Sequence, residues 1–251
     1  MLVSLADGVF AERDGSPPAT VIALPGWMRT RADFAVALAG CNAVRVDLPG
    51  FGGASPPPVA GGNSAMYADR LEPAFASPVL AERFILVGHS FGGRVAAHLA
   101  ARHPDRLIGL VLVAAPLLTR ADRPAPRVSW RHRAARWANR HGLVSDTRLE
   151  ARRRRHGSAD YRNASGVMRS VLVATVNESY DRELAAIGRA GVPTELLWGA
   201  RDPDVPLSTG ERIAASLGDS ARLTVVAAAG HLVPLEAPDA LRAAIDRLAS
   251  R

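Results

Sequence analysis

Short apolar runs rich in β-branched residues recur along the chain, each closed by turn residues. They are TVIALPG (20–26), NAVRVDLPG (42–50), RFILVGHS (83–90), LIGLVLVAAP (107–116), TELLWGARD (194–202) and RLTVVAAAGH (222–231). Runs of this length without polar alternation are what strands look like when both of their faces are covered. Between them the apolar spacing changes to that of amphipathic helices, in RADFAVALAG (31–40), FGGRVAAHLAARHP (91–104), STGERIAASLG (208–218) and APDALRAAIDRLAS (237–250), the last with Pro238 in its first turn. Strand and helix in alternation predict an α/β protein, with a mostly parallel central sheet and helices on both faces.

The rhythm breaks between residues 117 and 189. That stretch has no strand-like run, only Arg-rich and amphipathic patterns such as SWRHRAARWANRHG, DTRLEARRRRHG and ASGVMRSVLVATVNES, and it reads as a helical insertion between two strands of the sheet. Charge sharpens the division. The net charge is +7, every one of the 31 basic residues is Arg, and residues 117–185 hold 15 Arg against 7 Asp plus Glu. The positive charge therefore belongs to the insertion, and the rest of the chain is close to neutral. Four consecutive arginines, Arg152 to Arg155, cannot all face a core, so part of that run is a solvated face; the sharper reading is that it steers an anionic substrate or carrier. No aromatic platform accompanies the charge, and nucleic acid is not an expected partner. Without Lys there is no phosphate-binding G-x-x-x-x-G-K-[ST] loop, and GFGGAS does not fit G-x-G-x-x-G.

One cysteine, Cys41, excludes an intramolecular disulfide, and no window approaches the roughly 18 apolar residues that a membrane span needs. The start lacks a basic segment followed by a long apolar one, so the expectation is a cytoplasmic protein with no membrane span. Nothing in the sequence bears on oligomeric state.

The chemistry starts at GHSFG. A serine on a sharp turn from a buried strand into a helix needs a strained backbone, and Gly88 and Gly92 on either side of Ser90 remove bulk from that turn. The turn raises the hydroxyl above the strand ends and sets the backbone N–H of Phe91 at a helix N-terminus, where developing negative charge is stabilised. A serine is a weak nucleophile unless a base and an orienting acid accompany it. Asp202 follows one later strand and His231 the next, in the order Ser, Asp, His, and all three leave the carboxyl ends of parallel strands. Asp204 is the rival acid, with a spacing from Gly199 that fits less well. His89, inside the elbow, is a candidate for the pocket wall, as are Met168, Leu172 and Val176, which recur at helical spacing in the insertion. The remaining histidines show no ligand spacing with Cys or carboxylates, and no metal is expected.

With GHSFG, DLPGFGGAS, WGARDPDVP and GHLVPLEAPD, the chain resembles the serine members of the α/β-hydrolase superfamily over roughly residues 19–116 and 190–248. The resemblance implies a core of residues 1–116 and 190–251 with a helical cap at 117–189, and no cofactor. It implies Ser90 as nucleophile, His231 as base, Asp202 as orienting acid, and the N–H groups of Phe91 and Trp27 as the oxyanion hole. The family's His-Gly after the first central strand is replaced here by ALPGWM, with Pro25 in the histidine's place. The expected activity is hydrolysis of a carboxylic ester or related small acyl substrate through an acyl-enzyme. Alternatives are a thioesterase or C–C bond hydrolase on the same residues, or a catalytically silent binding or receptor protein of the same fold.

Overall fold

The structure is a computed structural model and describes residues 1–6, 9–57, 62–118, 164–176 and 178–251. The strands are β1 (Leu2–Ala6), β2 (Val9–Asp14), β3 (Ala19–Leu24), β4 (Ala43–Val46), β5 (Leu80–His89), β6 (Leu107–Val113), β7 (Thr194–Gly199) and β8 (Ala221–Val226). They form one sheet in the order β1-β2-β4-β3-β5-β6-β7-β8. The β1–β2 and β2–β4 pairs are antiparallel and every other pair is parallel. The six apolar runs are β3 to β8. The antiparallel pair β1 and β2 is an addition at one edge that the apolar runs did not predict.

Helices cover both faces, and the strand period of two sorts the side chains between them. Ile85 and Val87 of β5, Val111 and Val113 of β6 and Leu197 of β7 pack on one face with Leu241, Ile245 and Leu248 of the C-terminal helix (Pro238–Ala249). Their neighbours Leu86, Leu110, Leu112, Leu196 and Trp198 point the other way. They meet α1 (Ser64–Leu71), α2 (Phe91–Arg102), α4 (Asp181–Arg189) and α5 (Leu207–Leu217), with α3 (Gly166–Thr175) contributing Val171. The short α6 (Val233–Glu236) precedes the C-terminal helix, which is α7. Asn63 caps α1 by accepting the N–H of Met66 at 3.1 Å.

The helical pattern at 31–40 is realised only as one 3-10 turn, Arg31–Phe34, followed by turns. Its polar groups are tied to partners beside the turn. Asp33 takes Arg29 in two hydrogen bonds of 2.6 and 2.7 Å, and the buried carboxylate of Asp47 holds the N–H of Arg31 at 2.8 Å. Most of the Arg-rich stretch, including Arg152 to Arg155, lies outside the described residues. Among the described residues no helix is long and apolar enough to cross a membrane.

Candidate active site

Ser90 stands between β5 and α2 with φ 49° and ψ −110°, a left-handed backbone that a side chain adopts only under constraint. The constraint is visible. The Ser90 N–H donates to Val113 O at 2.8 Å, and its own carbonyl accepts the N–H of Gly93 at 3.0 Å. A Cβ on Gly88 would lie 2.6 Å from Gly92 O, so that glycine does relieve the turn itself. Gly92 answers to a different neighbour. A Cβ there would come within 2.2 Å of Leu24 O, so its bareness admits the loop after β3 rather than the far side of the turn.

The acid and base loops are packed directly onto one another. A Cβ on Gly199 would meet Gly230 O at 2.1 Å, while the N–H groups of Ala200 and Arg201 donate to Val226 O and Ala229 O, each at 3.0 Å. Glu236 grips the base loop on both sides of His231, accepting the N–H groups of Gly230 and Leu232. The arrangement carries His231 to Ser90. His231 Nε2 lies 2.9 Å from Ser90 Oγ, and His231 Nδ1 lies 2.8 Å from Asp202 Oδ2. The other oxygen, Asp202 Oδ1, accepts the N–H groups of Asp204 and Val205, each at 2.8 Å. Burial by itself would raise the Asp202 carboxyl, but the hydrogen bonds from His231 and the Val205 N–H, the charge of His231 and the N–H of Asp204 outweigh it and hold the group below its ordinary range. Asp204, the rival acid, is exposed and offers its backbone, not its carboxylate, to this chain of bonds.

His89 is buried, with its ring centre 5.1 Å from that of His231. Its Nε2 lies 2.9 Å from the carbonyl oxygen of His231, an acceptor, so Nε2 carries the proton and donates. Burial and the charge of His231 push the imidazole down to about 4, and it is neutral at neutral pH. Its Nδ1 lies against Gly26, where a Cβ would approach to 2.9 Å. His89 thus touches the base loop and the loop after β3 at once.

Above these groups opens a cavity of about 430 Å³ whose lining includes Gly26, Trp27, Ser90, Phe91 and His231. The Trp27 indole is a packing group, edge-on to Phe51 and Phe91 at 5.1 and 5.3 Å, and no acceptor for its backbone N–H is found among the described residues. Leu172 and Val176 line the cavity with His89, whereas Met168 does not. Its sulfur turns down toward Gly50, which has φ 86° and no Cβ to obstruct it, and toward the hydroxyl of Tyr67. The expectation that Met168 forms part of the pocket wall is corrected accordingly. Sequence reasoning missed Arg29, Arg94, Glu178 and Arg212, which also line the cavity. Arg94 had a signal, since it stands one helical turn beyond Ser90.

Asp202, Asp204 and His231 bring three potential ligand atoms within 4.8 Å of one another. A metal there would compete with bonds already made, because Nδ1 and Nε2 of His231 face Asp202 and Ser90.

Comparison with known proteins bears on the family. The sequence model of the alpha/beta hydrolase fold matches residues 20–238. The chain belongs to the α/β-hydrolase fold family. A pimeloyl (acyl-carrier protein) methyl ester esterase from Chromobacterium violaceum is 31% identical over 237 residues, 84% of this chain and 87% of its own length. Among solved structures, an esterase from Rhodococcus sp. superposes with a TM-score of 0.70 at 23% identity, covering 99% of this chain and 97% of that one. A hydrolase from Pseudomonas aeruginosa gives 0.70 at 23% identity over 100% and 98%. The family and these relatives place this α/β hydrolase among hydrolytic enzymes.

Proposed function

We propose that this α/β hydrolase is a serine esterase that cleaves a small carboxylic ester through an acyl-enzyme. The observation that carries the reading is the unbroken line from Asp202 through His231 to Ser90 beneath the cavity, with spacings of 2.8 and 2.9 Å. Ser90 Oγ attacks the ester carbonyl carbon while His231 Nε2 takes its proton, and Asp202 holds Nδ1–H so that Nε2 is the accepting nitrogen. The carbonyl oxygen, now negative, is held by the N–H groups of Phe91 and Trp27. As the tetrahedral species collapses, His231 returns the proton to the departing alcohol and Ser90 is left acylated. Water then attacks the acyl carbon, His231 accepts its proton, and the acid leaves with Ser90 Oγ reprotonated. No step calls on a cofactor. The methyl ester named for the Chromobacterium violaceum relative supports a carboxylic ester as the substrate class. The reading keeps residues 117–189 as the cap segment of the chain, most of it outside the described residues, and the cytoplasm as the place where a small acyl substrate is met.

A fluorophosphonate probe tests the mechanism, followed by peptide mapping. The expected adduct is on Ser90, and Ser90→Ala should abolish both labelling and turnover by several powers of ten without lowering Tm. An unlabelled wild type, or a Ser90→Ala protein that keeps its activity after purification, overturns the assignment.

A further inference from the structure

The cavity lining brings the apolar side chains of Leu172 and Val176 together with three arginines, Arg29, Arg94 and Arg212, and two acids, Glu178 and Asp204. Leu172 and Val176 share a face of α3 with Thr175, and the carbonyl of Thr175, at the end of that helix, accepts a hydrogen bond from Arg94 Nη1. The guanidinium is held on its other side by Tyr180, whose ring centre is 5.8 Å from Cζ. Of the five N–H donors of an arginine, this bond uses one. The others have no partner among the described residues and are not sealed from the cavity that Arg94 lines. No carboxylate comes within ion-pairing distance of Arg94 among the described residues.

The neighbouring charges are spent elsewhere. Glu178, on the same wall, turns its oxygens inward: Oε1 accepts the N–H of Ser64 at 3.2 Å, and Oε2 accepts the hydroxyls of Ser64 and Tyr180 at 2.7 and 2.5 Å. Arg29, at another part of the lining, is committed to Asp33 through two of its nitrogens. An arginine that is positioned by a carbonyl and a ring yet keeps most of its donors open is preorganised for a planar anion, because little further ordering is needed to bind one.

We infer that Arg94 forms a carboxylate subsite, and that the substrate is an ester whose acyl chain ends in a carboxylate, a half-ester of a short dicarboxylic acid. The inference rests on the serine esterase reading and specifies its substrate. Arg94 follows Ser90 by four residues, a rise of about 6 Å along a helix, so the reacting carbonyl and the guanidinium are a short chain apart. The methylenes run along Leu172 and Val176, and the carboxylate meets the open N–H groups. A neutral ester of the same length leaves those donors without a charged acceptor.

The test compares the monomethyl esters of succinic, glutaric and adipic acids with methyl butyrate, valerate and hexanoate, for wild type, Arg94→Gln and Arg94→Lys. Wild type should prefer the best half-ester over its neutral counterpart by at least tenfold in kcat/KM. Arg94→Gln should collapse that ratio at least tenfold, through KM for the half-ester, and Arg94→Lys should restore part of it. The ratio is insensitive to partial misfolding, which lowers both rates together. Wild type favouring the neutral esters, or a ratio unmoved by Arg94→Gln, overturns the subsite while the esterase reading stands. If no ester in the set turns over, protection of Ser90 from the fluorophosphonate by free adipate decides. Protection lost in Arg94→Gln supports the subsite, and no protection of wild type overturns it. Failure of the probe to label wild type at all overturns the esterase reading instead.

Discussion

Replacing Asp202 with Asn separates the orienting acid from its rival by an argument internal to the site. Asp202 Oδ1 accepts two backbone N–H groups, from Asp204 and Val205, each at 2.8 Å, while Oδ2 faces His231 Nδ1 at 2.8 Å. An amide NH2 cannot stand opposite two donors, so the Asn side chain keeps its oxygen at the Oδ1 position and turns its nitrogen toward His231. His231 Nδ1 must then accept, and the ring proton moves to Nε2, where it faces Ser90 Oγ at 2.9 Å and blocks proton uptake from the hydroxyl. The geometry survives and the tautomer is wrong. A loss of about 10⁴ in kcat is expected, equivalent to about 5 kcal/mol of transition-state stabilisation. Asp204→Asn keeps the backbone N–H that Asp202 uses and should lose far less. Steady-state hydrolysis of p-nitrophenyl butyrate measures both, with far-ultraviolet circular dichroism to verify the fold. An Asp202→Asn enzyme within tenfold of wild type, or the two variants ranked the other way, would refute the tautomer argument.

The parts of the fold that were legible in the sequence are those whose burial is two-sided. β5, β6 and β7 have apolar residues on both faces, so they read as continuous runs bounded by turns. β1 was not legible because it lies at the sheet edge with one buried residue, Leu5, and with Leu2 63% exposed, a pattern that a surface loop shares. The stretch at 31–40 misled because its apolar positions, Phe34, Ala37 and Leu38, are indeed buried, but a 3-10 turn and the turns after it bury them as a helix would, so the spacing alone does not tell the two apart. At the site, motif spacing pointed to Ser90, Asp202 and His231, since strand ends define where their loops begin. It could not distinguish the two neighbouring glycines: Gly88 is bare because of its own turn, Gly92 because of the loop after β3, where Leu24 stands 68 residues earlier in the sequence. Periodicity likewise grouped Met168 with Leu172 and Val176, yet the helix turns the first toward Gly50 and the others toward the cavity. Arg94 and Glu178 line the cavity through contacts between distant segments, with Ser64 and Tyr180 as the partners of Glu178, and no local pattern encodes those pairs.

Removing the buried donor by His89→Leu leaves the His231 carbonyl unsatisfied, at a cost of about 1–3 kcal/mol, and should lower kcat; His89→Gln, which can place an N–H at the same acceptor, should recover most of it, and equal rates for the two would exclude a positioning role. Gly92→Ala forces a Cβ to within 2.2 Å of Leu24 O and must displace the loop that carries Trp27, so both Tm and turnover should fall; an unchanged variant would mean that the loop yields freely. Leu172→Trp should shift the preferred acyl chain length, whereas Met168→Trp, packed beneath Gly50, should lower Tm without changing that preference, as a p-nitrophenyl ester series and thermal melts would show. Acid stability follows from His89. Its imidazole ordinarily titrates at 6.5 and is pushed down to about 4 in the folded protein by burial and by His231, so between those values the unfolded chain binds a proton that the native state refuses. Stability is therefore fully present above pH 6.5 and declines as the pH falls toward 4, by an amount on the order of 3 kcal/mol. His89→Gln lacks this titration and should lose less stability over the same window, so urea midpoints for both proteins at several pH values that fall in parallel would refute the assignment of the acid limb to this buried ring.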